Sequence, residues 1–344
     1  MTPERMSRDS ALLQKGPAMR SAAKRFWLGH AAILLGLLIF PFVASPFLTY
    51  QIGAQALIWG TIALSTAFLA GYGGMVSLAQ MSVAGAAGYA VAILGHSGTE
   101  SSLGWHWSVV VPVALTVAVA YSMLIGWLSA RTGGVYTIMI TLAIGVAFYY
   151  LALQNYSVFN GFQGFQKVYP PTVGGVQLTQ KSNLYGLCLF WAVASYAWIV
   201  WLARTPFGIA LQGTRDNSRR MASLGFNVIA IRILAYAVSG LLAGVGGILL
   251  VWYNGLISPG SIGIGVLINV LVMAVLGGTR HPFGAFLGGL VFVLLQTFAI
   301  DLVDRERFNM LIGSVFLAIV LFSPDGLLGL WGKLKARIGN KRPT

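Results

Sequence analysis

Long apolar runs recur along this chain, and no other feature of it constrains the fold as strongly. Uncharged runs of about 18 residues or more are long enough to cross the hydrocarbon core of a bilayer as helices. In lipid the backbone N–H and C=O groups find no water, so spanning segments are either helices or strands of a closed barrel. Barrel strands would read as segments of about ten residues alternating in polarity, whereas these runs are continuous. Composition agrees: 57% of the 344 residues are hydrophobic and 9% are charged, against about 25% charged in ordinary soluble domains. The runs predict about ten helices, at 27–48, 51–70, 75–95, 108–129, 135–153, 183–203, 231–253, 263–279, 283–300 and 309–323.

Segment 71–95 holds Gly71, Gly73, Gly74, Gly85 and Gly88, so it reads as a broken or re-entrant helix. Another Gly-rich segment lies near 255–279. Weak similarity between the halves hints at an internal repeat of about five spans, inverted as in many transporters. The expected class is an all-α polytopic membrane protein in which some helices are broken or re-entrant.

The bases give an orientation. Residues 1–25 carry Arg5, Arg8, Lys15, Arg20, Lys24 and Arg25, followed by an apolar run from Phe26 to about Leu48. That run is too long for a signal-peptide core and lacks a small-residue cleavage site, so it is read as a retained first span. With the N-terminus inside, 18 of the 22 Lys and Arg fall on inner segments, the asymmetry expected of cytoplasmic loops. Only Lys167, Lys181, Arg305 and Arg307 fall outside. An even number of spans with both termini cytoplasmic follows. The organisation expected is a disordered basic tail at 1–26, a transmembrane domain at 27–330 and a basic tail at 331–344. The net charge of +14 does not imply nucleic acid, because the bases flank apolar runs and do not form an aromatic-interleaved stripe.

Several chemistries are missing from the residues. No Asp, Glu, Lys or Arg lies deep within a span, where proton- and many ion-coupled carriers place them. There is no phosphate-binding loop, since Gly332-Lys333 is followed by Leu334 without the glycines that such a loop needs. His30, His96, His106 and His281 are scattered at no metal-ligand spacing, and Cys188 is the single cysteine. Catalytic carboxylate pairs and a nucleophile elbow are also lacking. The expectation is a chain that is not an enzyme and holds no metal or cofactor of its own.

Residues 204–230 form a long, basic inner loop. Thr205 before Pro206 is a good N-cap and first-turn pair for a short helix. Asn217 or Ser218 suits the N-cap of a second short helix, with Met221 and Leu224 on one face and Gly225 as its stop. Asn227 suits the cap of the next span. The residues alone leave two readings open: a loop resting on anionic lipid, or a stiff handle for a partner.

The stretch Gly208–Gly225, with its Thr-Arg-Asp-Asn-Ser-Arg-Arg-Met-Ala-Ser-Leu-Gly core, resembles the cytoplasmic signature of permease subunits of branched-chain amino acid ABC importers (the LivM/LivH type). The same family is matched by Gly71-Tyr-Gly-Gly-Met-Val-Ser-Leu-Ala-Gln, by the Leu234–Gly247 segment followed by Ile257-Ser-Pro-Gly, by Val275-Leu-Gly-Gly-Thr-Arg-His-Pro-Phe-Gly, and by Ser323-Pro-Asp-Gly-Leu-Leu-Gly. These motifs cover most of residues 60–330. The resemblance implies a second homologous permease subunit, two ATPase subunits that use ATP and Mg, and a periplasmic solute-binding protein. It also implies that 204–230 docks on an ATPase, with Gly213, Arg215, Asp216, Asn217, Arg219, Arg220, Leu224 and Gly225 as the coupling residues. After Arg131 the chain reads Thr-Gly-Gly-Val-Tyr-Thr-Ile where the family usually has Gly-x-Tyr-Phe-Ala. The alternatives are a permease for urea or amides, or a secondary carrier working alone.

A pathway for a small polar solute needs polar groups and slim packing. Ser77, Gln80 and Ser82, with Thr141 and Asn269, are the candidates. The same residue types serve close helix packing in membranes, which is the more frequent use. Gly240-x-x-x-Gly244 and Gly284-x-x-x-Gly288 read as packing seams. Trp105, Trp107, Trp252 and Trp331 read as interface anchors.

Overall fold

The computed structural model describes residues 35–41, 43–98, 102–173 and 175–299, together with 310, 313–314, 317 and 326–329. The expected terminal tails and most of the tenth span lie outside the described residues, as do residues 27–34 of the first span. The chain divides into two units, 1–49 and 50–344. In the first, residues 35–41 are helical and Leu35, Leu38, Ile39, Val43 and Phe47 are exposed.

Among its described residues the second unit is helical, apart from loops and four two-residue strands. Besides short helical turns at Tyr156–Phe159, Gly161–Gln163 and Pro259–Ile262, its helices are α1 (Gln55–Gly73, entered through a π-helical turn, Leu48–Ala54), α2 (Gln80–Leu94), α3 (Trp107–Ser129), α4 (Val135–Gln154), α5 (Lys181–Leu202), α6 (Pro206–Asp216), α7 (Ser218–Ser223), α8 (Val228–Asn254), α9 (Ile264–Gly277) and α10 (Pro282–Ala299). The strands are β1 (Phe165–Gln166), β2 (Thr172–Val173), β3 (Val176–Gln177) and β4 (Leu256–Ile257).

Among the described residues, five helices are long and apolar enough to cross a membrane: Leu48–Gly73, α3, α4, Ser182–Leu202 and α8. The number rises to six if α9 and α10, bent by 119° at the break between them, count as one span. This is fewer than the ten helices read from the apolar runs. Part of the difference is length: α2 has 15 residues and α9 has 14, each about 20 Å at 1.5 Å per residue, against a hydrocarbon core of about 30 Å. Both are half-helices, and each follows a long span that stops at a left-handed glycine. Gly74 (φ 65°) ends α1 and Gly255 (φ 67°) ends α8. A serine follows each three residues later, Ser77 and Ser258.

The packing repeats around these two broken units. α8 lies against α3 as α1 lies against α10. α2 meets α3 as α9 meets α10, and α8 meets α2 as α1 meets α9. The matching contacts involve three elements on each side, α1–α3 and α8–α10, with α4 and α5 between them. The central helices approach closely through small residues, the usual means of association where lipid is as apolar as leucine. Gly240 and Gly244 of α8 sit on Ser122 and Ala118 of α3, and Gly247 on the main chain of Ala84 in α2. Gly284 and Gly288 of α10 sit on Gly277 and Met273 of α9. The most hydropathic stretches of the α1 and α8 spans are 78% and 72% buried, against 22% for α4, so α4 is peripheral.

One end of the unit gathers the ends of α1, α3 and α5, the α6–α7 hairpin and the turn between α9 and α10. Of the described bases, Arg131, Arg204, Arg215, Arg219, Arg220, Arg232 and Arg280 lie at this end. Lys167 and Lys181 lie at the other, where β1 pairs antiparallel with β4 in the break after α8.

Candidate functional site: the hairpin and the broken span beside it

The hairpin is built by local chemistry. Pro206 is the first residue of α6, and the Thr205 hydroxyl oxygen accepts from the Gly208 N–H at 3.3 Å while donating to the Leu202 carbonyl at 2.7 Å. The Asn217 side-chain oxygen accepts from the Arg220 N–H at 2.9 Å and starts α7. Its chain then leaves through Gly225, whose φ of 87° is left-handed. Asn227 caps α8 by accepting from the Ala230 N–H at 3.1 Å. Met221 folds back onto Gly213, where a Cβ would meet its sulfur at 2.8 Å. The face of α6 formed by Gly208, Ala210, Leu211 and Thr214 is buried. Ile209, Leu224, Phe226, Arg219 and Arg220 are exposed.

Each of the three spans ending here leaves C-terminal carbonyls without helical partners, and segment 204–232 supplies a side chain to each. Gln212 Nε2 donates to the Ala203 carbonyl at the end of α5, at 3.0 Å. Arg232 Nη1 donates to the Ala130 carbonyl at the end of α3, at 2.9 Å. Arg215 Nη1 donates to the Gly71 carbonyl in the last turn of α1. The other side of the Arg215 guanidinium pairs with Asp216, at 2.8 Å from Nη2 and 2.9 Å from Nε. Arg215 also runs over Gly74, where a Cβ would come within 2.6 Å of its Cγ. Cations suit this position because helix C-termini carry partial negative charge.

Beyond Gly74 the chain is non-helical to Ala79, and the polar candidates gather there. The Leu78 N–H donates to Thr141 Oγ1 at 3.1 Å. Ser77 Oγ accepts from the Ala79 N–H at 3.3 Å and from Gln80 Nε2 at 3.4 Å. Ser82 donates to the Ala79 carbonyl at 2.7 Å, and its oxygen lies 3.4 Å from the Tyr121 hydroxyl. Ser77, Gln80, Ser82 and Thr141 are all buried, whereas Asn269 on α9 is half-buried. The structure adds Tyr236 to the group: its hydroxyl lies beside Ser77 and Ser129. That hydroxyl is buried, and Gln80 Oε1 is buried without a hydrogen-bond partner among the described residues. Tyr121 and Tyr236 carry no local pattern that marks them, being single aromatics in apolar runs. At the opposite end Trp105, Trp107 and Trp252 line an open cleft with His96, His106 and Tyr169.

Comparison with known proteins places this arrangement. A family model described as branched-chain amino acid transport system / permease component matches residues 48–320. The chain is similar to the high-affinity branched-chain amino acid transport system permease protein LivM of Escherichia coli (strain K12), 26% identical over 335 residues, covering 91% of this chain and 77% of the relative. It is also similar to the permease protein BraD of Pseudomonas aeruginosa, named for the same transport system, 25% identical over 294 residues, covering 79% and 91%. Over a shorter stretch it resembles the nucleoside ABC transporter permease protein NupC of Lactococcus lactis, 35% identical over 133 residues, covering 38% and 40%. No solved structure matches the chain. The family match covers both broken units and the hairpin between them, and the chain belongs to the family of branched-chain amino acid transport permease components, a family of transport subunits and not of enzymes.

Proposed function

We propose that this chain is the membrane-spanning permease subunit of an ATP-driven importer of branched-chain amino acids. It works with a second homologous permease, two ATPase subunits that bind ATP and Mg, and a periplasmic binding protein. The observation that carries this reading is the capped, basic hairpin laced to the ends of three spans, within a chain of this family. Such a hairpin is a stiff handle, and a handle fixed to span ends passes force to them.

The hairpin end is taken as the cytoplasmic one of a bacterial inner membrane, because it holds all of the described arginines. The ten-helix count is retained in this reading. α1–α5 and α8–α10 contribute eight, and the runs at 27–48 and 309–323 add two, which brings both termini to the cytoplasm. Residues 27–330 then form the permease domain between two basic tails.

ATPase contact is assigned to the exposed groups of the hairpin: Arg219 and Arg220, with the apolar Leu224. Asn217, Gly213 and Gly225 give the hairpin its shape, and Arg215 with Asp216 anchors it. The pathway is assigned to the first break, through Ser77, Gln80, Ser82 and Thr141, with Asn269 contributed from α9. The hydroxyls of Ser77 and Tyr236 suit a carboxylate and Gln80 Oε1 suits an ammonium, which is the charge pattern of a free amino acid. Branched-chain amino acids are preferred to nucleosides because the relatives matched over most of the chain bear that name.

The test is uptake of labelled leucine into proteoliposomes holding the chain and its partner subunits, with the binding protein outside. ATP-dependent uptake, competed by isoleucine and valine, is expected. Leucine uptake driven by an ion gradient with this chain alone would sink the reading.

A further inference from the structure

We propose that Arg215 is the strut through which the hairpin acts on the first break, and so a positioning residue for transport more than a contact for the ATPase. The inference rests on the importer reading above and concerns what happens inside this subunit.

Three side chains lace segment 204–232 to span ends, but they differ in what they join. Gln212 reaches back nine residues to the end of the helix just before the hairpin. Arg232 belongs to α8 itself and grips the end of α3, an unbroken span. Arg215 alone among these three crosses 144 residues of sequence to the last turn of a span that then breaks. Three residues past the Gly71 carbonyl is the left-handed Gly74 that opens the break, and Arg215 covers it. Ser77 and Gln80 follow at the mouth of α2.

The guanidinium is suited to this task. It is held in one orientation by Asp216 through two nitrogens, which leaves the third aimed at Gly71. A planar fork with several donors can make both attachments at once, whereas a lysine ammonium on a flexible stem cannot hold the same geometry. Displacement of the hairpin by an ångström or two is therefore delivered to the end of α1 and the residues after it.

The second break is held differently. After α8 the chain is pinned by main chain: the Val168 N–H donates to the Gly255 carbonyl at 3.0 Å, and β1 pairs with β4. A backbone ladder is not released by one side-chain rotation. The first break, tied to the hairpin through the Arg215 side chain, is the one built to move with it.

The experiment uses the full complex in proteoliposomes, in a Cys188→Ser background with Val76→Cys as a reporter in the break. Two readouts are followed, leucine imported per ATP hydrolysed and the rate of Val76→Cys modification by N-ethylmaleimide with and without ATP. With Arg215 present, ATP is expected to change the modification rate. Arg215→Ala is expected to assemble and hydrolyse ATP, to abolish that change, and to lower leucine imported per ATP about tenfold, a typical size for coupling between sites. Arg215→Lys is expected to fall between the two, and it carries the test if the alanine variant does not assemble. Import per ATP at the wild-type ratio in either assembled variant, with the ATP-dependent labelling intact, would overturn the strut. If the unmutated complex hydrolyses ATP but imports no leucine, the importer reading fails, while the labelling still decides whether Arg215 links hairpin and break.

Discussion

At Gly247 two main chains meet: a Cβ placed there would run into the carbonyl of Ala84 on α2. Neither partner is the tip of a flexible side chain, so the helices must separate to admit even one methyl. Gly247→Ala is expected to destabilise the protein by about 1–3 kcal/mol, the usual cost of overpacking. Gly186, on the exposed side of α5, is the contrast, because a Cβ there meets nothing within 4 Å. Gly186→Ala should be neutral or stabilising by up to about 1 kcal/mol, through helix propensity alone. Thermal unfolding of the two variants beside the parent chain in one detergent checks both signs. Equal losses would mean that the α8–α2 contact is looser than the structure shows.

At the scale of elements, the hairpin stands on its caps. Thr205 and Asn217 each satisfy an N–H at the start of a helix of 11 or 6 residues, too short to persist in water without tertiary support. Replacing either cap by alanine should cost about 1 kcal/mol locally. Hydrogen exchange would show this as faster exchange at the Gly208 amide for Thr205→Ala and at the Arg220 amide for Asn217→Ala, with α3 and α8 unchanged. Faster exchange throughout the spans would show that hairpin and membrane helices unfold as one unit. These caps were legible in the sequence because capping acts within three residues: Thr205-Pro206, Asn217, Gly225 and Asn227 announce themselves by type and spacing. The half-helices were less legible. Hydropathy registers 75–95 as one apolar run, but where the helix begins is decided by Gly74 turning left-handed and by Thr141 capturing the Leu78 N–H. Thr141 is 63 residues away from Leu78, beyond any local signal.

For the whole molecule, the gathering of the described arginines at one end predicts an orientation. In cells, Ser223→Cys on the hairpin should react with a membrane-impermeant maleimide only after permeabilisation. Ser157→Cys in the exposed segment after α4 should react from outside. Both side chains are exposed and the native Cys188 is buried, so the background is low. The opposite pattern would reverse the topology and remove the hairpin from the reach of any cytoplasmic ATPase.

Apolar length and charge placement settled from the sequence alone that this is a helical membrane protein, because lipid imposes its demands on every spanning residue wherever that residue packs. Local type and spacing settled how the hairpin starts and stops. Which runs are half-helices, and which carbonyl the Arg215 guanidinium finds, were decided only in the tertiary structure. Gly71 and Arg215 are brought together by helices that pack through glycines, and no periodicity along the chain records that meeting. The long-range hydrogen bond turns a basic loop that could simply rest on lipid into an arm fastened to the end of a broken span.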